Sequence, residues 1–439
     1  MNTARILHIT PHMGGGVGKA ISGLVSQAVR GKGTYTHTVV SLETPEKSEF
    51  VDIIENAGCN LLVTPSKGEL KWEIEAADIV QVEFWNHPAI VRFLCDVPLP
   101  AMRLIVWCHV SGLSYPAIPS DFMKAAHRFI FTSACSLEGP EVQSLLARER
   151  KGLDVISSGG GLETLPQPAR MGGGGGRHIL RAGYLGSLNF SKLHPDYVDY
   201  IAAVRDPGFC VRMIGDETNR EVLEHRCHRV KRPGLLEFAG YRADIATELV
   251  ELDVLVYLLN PNHYGTAENA LLEAMAMGVV PIVMDNAAER HIVEHGDTGI
   301  VVRTPDDLAA AIDRLSSRPD ERVEMGRRAA SVVRERYRYG RMERAFSRHY
   351  NALLTQPKQV FSFARFFGAP PADWFRAFYR DRSIFLDDGN VRLPDRLRRY
   401  GMFERTKGSV FHFLDHFPHD PLLGKWAGAL RGHMGANGI

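Results

Sequence analysis

The sequence is short of the features that would mark it for an extreme. Its 439 residues hold 52 Lys+Arg against 51 Asp+Glu, and a formal charge of +1 supplies no general field for nucleic acid or an acidic surface. The six cysteines (Cys59, Cys95, Cys108, Cys135, Cys210, Cys227) are widely spaced without a CxxC pair, which argues against a zinc motif and a disulfide scaffold. Cys108 precedes His109, but such a neighbour pair does not make a nucleophile and its base, so the thiols are expected to pack as small apolar groups. No run approaches the ~18–20 apolar residues of a membrane helix, and residues 1–10 lack the order of a signal peptide. A cytoplasmic protein without a nucleic-acid partner is expected. Asp-x-Asp, a spacing that brings two carboxylates to one divalent cation, is also missing, and no metal site is expected.

What is present is ordinary globular composition, 45% hydrophobic and 23% charged, at a length that predicts about two large domains plus an appendage. Short β-branched runs alternate with helical stretches. Strands are predicted at 5–10, 38–42, 59–63, 78–82, 104–108, 129–132 and 154–156, then at 179–185, 211–214, 236–239, 254–258, 280–283 and 299–302, with an early helix over 19–30. Runs of Ile and Val without polar alternation belong to parallel sheets buried on both faces, so each series predicts a doubly wound α/β domain.

The expected domains are 1–163, a Gly/Pro linker at 164–177 containing five consecutive glycines (172–176), a second Rossmann-like domain at 178–330, helices at 331–356 and an extension at 357–439. The extension holds 15 of the 39 aromatics, which sets it apart as a packed element. Phe361, Phe363, Phe366, Phe367, Trp374, Phe375, Phe378 and Tyr379 there are interleaved with Arg365, Arg376 and Arg380. Such a segment suits a membrane surface, giving a protein peripheral to the inner membrane face, but Pro370-Pro371 interrupts any long amphipathic helix and favours packing back on the protein.

Two segments invite chemistry. The first predicted strand runs into His12-Met13-Gly14-Gly15-Gly16-Val17-Gly18-Lys19, where the bare amides of Gly15 and Gly16 can approach a phosphate or sugar closely. Met13, Lys19 and Ala20 break both the Walker A and the GxGxxG patterns, so neither an ATPase nor a dinucleotide site is supported, and a plain tight turn is the competing reading. In 260–278, Thr266 is the expected helix N-cap, and Thr266, Asn269 and Glu273 form one polar line on a helix otherwise of Ala, Leu and Met. An acid in that company needs hydrogen-bond partners, and the functional reading gives Glu273 a ligand's ribose hydroxyls while first-turn amides face its phosphates. Glu268 is explained equally by the helix dipole. His109 falls at a strand end, where ligands of open α/β sheets bind, though a satisfied structural histidine fits as well; Trp85, in 83–87, is as easily a core aromatic.

The run 273–283, then 291–301, with 253–256 before it and Gly186-Ser187-Leu188-Asn189-Phe190-Ser191-Lys192 upstream, resembles the C-terminal domain of family 4, GT-B-fold, retaining glycosyltransferases. The likeness spans roughly 4–354 and is most specific in the second domain. It implies two Rossmann-like domains facing a cleft, with a nucleoside diphosphate sugar bound by the second and an acceptor by the first. It further implies donor contacts from Gly186, Ser187, Lys192, Gly265, Thr266, Asn269 and Glu273, and puts His109 at the donor sugar. Two positions depart from the family. The acid that usually stands eight residues before Glu273 is Gly265, with Glu268 nearest, and the usual phosphate-binding Arg is Ser187.

The expected function is therefore transfer of a hexose-type sugar from a nucleoside diphosphate sugar, with UDP favoured, to an acceptor hydroxyl. The resemblance implies retained configuration. His109, Lys192 and Glu268 are the catalytic candidates. The acceptor is a sugar, lipid-linked or small molecule, and no cofactor is expected beyond the donor as substrate. Gly265 and Ser187 keep open a non-catalytic nucleotide-sugar-binding partner, and the shared fold keeps open a sugar-nucleotide epimerase.

Overall fold

The uninterrupted apolar runs become strands because both of their faces are covered. In the computed structural model, which describes residues 3–31, 34–45, 48–96, 98–148, 152–167 and 180–437, the first sheet comprises β1 (Ala4–Thr10), β2 (Tyr35–Ser41), β3 (Asn60–Val63), β4 (Ile79–Phe84), β5 (Leu104–Cys108), β6 (Arg128–Phe131) and β7 (Leu153–Val155). The second comprises β8 (Ala182–Leu185), β9 (Val211–Ile214), β10 (Leu236–Gly240), β11 (Val254–Tyr257), β12 (Val280–Met284) and β13 (Ile300–Val302). Every residue of β4, β5, β11 and β12 is buried, as strands central to a two-faced sheet must be.

All pairings between these strands are parallel, in the orders β3-β2-β1-β4-β5-β6-β7 and β10-β9-β8-β11-β12-β13. The order therefore reverses once in each sheet, between β1 and β4 and between β8 and β11. Open α/β sheets bind ligands at such reversals, beyond the carboxyl ends of the strands. The architecture is the two-sheet α/β type expected from the sequence.

The chain forms two compact units, one of Met1–Ser158, Tyr264–Thr266 and Tyr339–Ile439, the other of Gly159–His263 and Ala267–Arg338. The helix Pro319–Arg336 stays with the second unit, whereas Tyr339–Leu354 joins the first, where Met342, Phe346, Tyr350 and Leu353 pack on Ile6, Ile79, Ile105 and Trp107. The predicted five-glycine run and most of the 164–177 linker lie outside the described residues. Just before them, Arg334 gathers the carbonyls of Leu162 (3.0 Å), Leu165 (3.1 Å) and Pro166 (2.5 Å).

The aromatic extension packs inward on the first unit. Phe363, Phe367, Trp374, Phe375, Phe378, Phe413 and Trp426 share one core with Phe84, Phe122, Phe129 and the buried side of the helix Pro88–Asp96. Its helices are short, apart from Pro421–Asn437, and Arg380 anchors it through Glu141 at 2.7 Å. Among the described residues no helix is long and apolar enough to cross a membrane.

Candidate functional site

In the second unit β8 ends at Leu185, and the chain turns through Gly186 at φ +149°. Gly215 follows β9 at φ +156°, and a side chain there would overlap the Gly186 carbonyl, so both loops depend on glycine for their approach. The loop after Gly186 is tied down along its length. The Tyr184 hydroxyl donates to the Ser187 carbonyl (2.8 Å), Asn219 to the Leu188 carbonyl (2.9 Å) and Asn260 to the Phe190 carbonyl (2.9 Å). The Asn260 amide then donates to the Lys192 carbonyl at 2.7 Å. The upstream loop and the start of the 260–278 segment, far apart in sequence, are thus joined backbone to backbone.

That join delivers Lys192 to Glu268. Its ammonium lies 3.1 Å from Glu268 Oε2, which also accepts a hydrogen bond from the buried Tyr257 hydroxyl at 2.6 Å. Glu268 is 4% exposed. Burial alone would raise its pKa, but Lys192, His263 and the Tyr257 hydroxyl more than offset this and hold it below the usual range. Glu268 therefore stays a carboxylate inside the protein. His263 continues the network, 3.7 Å from Glu268 and 3.1 Å from the fully buried Glu289. Burial disfavours its charge, yet the two carboxylates hold its pKa above the ordinary value.

The structure corrects the start of the adjacent helix. It runs Asn269–Ala276, with Glu268 at the N-cap in a left-handed conformation (φ 42°, ψ 61°) and making no side-chain capping bond. Thr266 is not the cap, because its hydroxyl turns to Thr132, whose Oγ1 donates to it at 2.7 Å. Gly265 and Thr266 belong to the first unit, with Tyr264, whose carbonyl accepts from the Ser111 amide at 3.1 Å. The expected polar line therefore shortens to Asn269 and Glu273, both half-buried one turn apart. The N-cap side chain thus leaves the first turn uncapped, and helix N-termini are where anionic groups of ligands are commonly held.

In the first unit His109 follows β5. Its Nε2 lies 2.9 Å from Glu83 Oε2, and the other carboxylate oxygen meets His8 Nδ1 at 3.0 Å and accepts from Gln81 at 2.9 Å. Glu83 is fully buried; burial would raise its pKa, but His109 and His8 keep it below the usual range. His109 is thus a strand-end histidine whose ring is fixed by a buried carboxylate. Gly15 and Gly16 are exposed and already inside the helix Gly15–Arg30, which starts four residues before the predicted 19. Gly18 is there for packing, since a side chain would strike Met13 and Phe50. Cys108 is buried, which pushes its thiol up to about 12 and fits packing rather than nucleophilic use.

Sequence reasoning missed His263, Glu289 and Tyr257. His263 sat in plain view beside Asn260, but only the pairing with two buried acids distinguishes it from a loop histidine. Glu289 was hidden by its place three residues after Asn286, where an acid reads as a helix-start signal.

Known proteins resemble this chain. Residues 180–318 match the family described as Glycosyl transferases group 1. A curated relative, GDP-Man:Man(3)GlcNAc(2)-PP-Dol alpha-1,2-mannosyltransferase of Dictyostelium discoideum, is 23% identical over 149 residues, 33% of this chain, and the alignment spans 29% of the relative's length. Among solved structures, a glycosyltransferase from Rickettsia africae superposes with TM-score 0.61 at 14% identity, covering 81% of this chain and 100% of that one. Anabaena HepE in complex with UDP-glucose gives 0.59 at 14% identity (79% and 99%), and sucrose-phosphate synthase from Thermosynechococcus elongatus 0.58 at 15% (80% and 99%). At these identities the superpositions establish the fold, which is of the GT-B type.

Proposed function

We propose that the protein transfers a sugar from a nucleoside diphosphate sugar to an acceptor hydroxyl with retention of configuration, the second unit holding the donor. The observation that carries this reading is the fixed Lys192–Glu268 pair at the mouth of an uncapped helix. As the glycosidic bond breaks, the leaving diphosphate gains negative charge, and preorganised donors placed where that charge develops lower the barrier. Lys192 and the first-turn amides of Asn269–Ala276 are those donors. Glu268 acts through Lys192 as a positioning residue, because a buried carboxylate bonded to Tyr257 and Lys192 is committed to holding them. Glu273 takes the ribose hydroxyls, and His109, oriented by Glu83, serves the donor sugar.

This division of labour explains how the site works with Ser187 where the family usually has a second cation. It needs neither a metal nor a cofactor beyond the donor substrate. UDP is the favoured nucleotide of the donor, in keeping with the UDP-glucose of the HepE complex. The test is incubation of the purified protein with UDP-, GDP- and ADP-sugars, with released diphosphate and the anomeric configuration of the product as readouts. Acceptor-dependent release with a retained anomer supports the proposal; interconversion of the donor sugar would make it an epimerase, and binding without release a non-catalytic partner.

A further inference from the structure

The buried carboxylate behind His109 is itself held by a chain of side chains that crosses the first sheet, and the mechanism above leaves that chain unused. Glu83 stands on β4, His8 on the neighbouring β1, His37 on β2 and His109 just after β5. His8, Gln81 and Glu83 are fully buried, and His37 is 6% exposed. His8 Nδ1 faces Glu83 Oε1 at 3.0 Å, and its Nε2 lies 2.9 Å from His37 Nδ1. From the helix Tyr339–Leu354 the buried Tyr350 hydroxyl donates to the Gln81 side-chain oxygen (2.7 Å), which turns the Gln81 amide nitrogen to Glu83 Oε1 (2.9 Å).

Counting protons fixes which nitrogen carries each one. A carboxylate only accepts, so the contacts from His8 Nδ1, Gln81 and His109 Nε2 all need an N–H pointing at Glu83. Burial would raise the Glu83 pKa, but its hydrogen bonds to His109 and His8 keep it below the usual range, so the three donors face a charged acceptor. Burial, then the neighbouring His8, lowers His37 to about 3, so that ring is neutral and has one N–H. On Nε2, a buried atom with no hydrogen-bond partner among the described residues, that proton would be wasted; on Nδ1 it is donated to His8 Nε2. Donation therefore runs one way, from His37 to His8 to Glu83, and meets the bond from His109 there. His109 is left with its proton on Nε2 and a lone pair on Nδ1.

We propose that His8 is a positioning residue for His109: its Nδ1–H steadies the charge of Glu83, and Glu83 holds His109 as the Nε2–H tautomer whose Nδ1 accepts a hydrogen bond from a sugar hydroxyl. The sugar contact rests on the transferase reading, whereas the proton order does not. A proton added to the Glu83–His109 pair ends on Nδ1 whichever partner is counted as taking it. Either His109 becomes an imidazolium, or Glu83 donates to Nε2 while Nδ1 holds the ring proton. Both outcomes remove the acceptor. A donor on the far oxygen of Glu83 resists that uptake, because hydrogen bonds to the charged form favour it. The other titratable groups on this network, Tyr350 and Tyr35, are phenols pushed up chiefly by burial, with Glu343 of the same helix adding to both, and they stay neutral at acid pH.

The test combines ring-15N NMR of the histidine-labelled full chain, with the His109 signals identified by their loss in His109→Gln, and the pH profile of kcat/KM. Near neutral pH the wild-type His109 Nδ1 should give the shift of an unprotonated nitrogen and Nε2 that of an N–H. In His8→Phe, or His8→Leu if the first does not fold, the pH at which Nδ1 gains its proton should rise by about one unit or more, and the acid limb of kcat/KM with it. His8→Asn returns a short N–H donor to Glu83 and should restore both. A wild-type Nδ1 already protonated at neutral pH overturns the proposal without any variant. So does a folded His8→Phe or His8→Leu whose Nδ1 titration is unmoved. The expected tautomer and shift in a protein that transfers no sugar would refute the proposed function and leave the proton order standing; transfer whose acid limb ignores His8 would do the reverse.

Discussion

Glu268→Gln is the most revealing single change. The substitution keeps the side-chain shape and an oxygen for the Tyr257 hydroxyl, and removes only the charge that faces Lys192 at 3.1 Å and His263 at 3.7 Å. Hydrogen bonds to charged groups contribute ~1.5–3 kcal/mol, so the variant should lose about that much stability at neutral pH. In a unit of this size 1 kcal/mol moves Tm by ~2–4 °C, giving a fall of roughly 3–12 °C. The pH dependence carries the sharper signature. Because the Glu268 pKa is depressed on folding, its contribution is fully present above the unfolded value of ~4.3 and is lost as pH falls through the folded value. Wild type should therefore lose its advantage over the variant as pH is lowered below ~4.3, which differential scanning calorimetry from pH 7 to 3 would follow. Turnover should fall ~10- to 100-fold, since Lys192 would no longer be held, at ~1.4 kcal/mol per factor of ten. A Tm deficit independent of pH together with normal turnover would refute the idea that Glu268 is an ionised positioning residue.

Lys192→Ala should reduce kcat more than donor affinity, because a cation facing the diphosphate gains most as charge develops; equal losses in both, by single-turnover kinetics and calorimetry, would mean uniform binding. Glu273→Ala should cost ~1.5–3 kcal/mol of donor binding with little change in Tm, and an unstable variant that binds nucleotide normally would make Glu273 a packing residue. His263, whose pKa is raised by Glu289 and Glu268 against the effect of burial, contributes stability that is fully present below ~6.5 and lost as pH rises through its folded value. Glu289→Gln should flatten that decline in melts across pH 6–9. Removing the chain after Leu354 should uncover Phe84, Phe122 and the helix Pro88–Asp96 and give an aggregating protein, which light scattering would show; a monodisperse truncation would contradict the packing described.

The strands were legible because buried parallel strands write themselves as unbroken Ile/Val runs, and each predicted run corresponds to an observed strand, with ends shifted by a few residues. Val211–Ile214 and Leu104–Cys108 match to the residue. Helix starts were harder. Thr266 carries the usual capping side chain, but tertiary contact with Thr132 takes it, and the helix instead begins after a left-handed Glu268. Glycines at 15 and 16 suggested a loop, yet the first turn tolerates them and the helix starts there. In the site, Lys192 and Glu268 could be named separately from the sequence. Their pairing could not, because it depends on Asn260 bonding a loop some seventy residues upstream.

The extension's return to the first unit also sets a clock on biosynthesis. Phe84, Phe122 and Phe129 leave the ribosome early, but Phe363, Phe375 and Trp426, which close the same core, follow more than two hundred residues later. At ~5–20 residues per second that is a delay of roughly ten seconds to a minute in which an apolar face stays open while the whole second unit is made and can fold. The nascent first sheet is thus a prime client for a ribosome-associated chaperone, and slow synthesis lengthens its exposure.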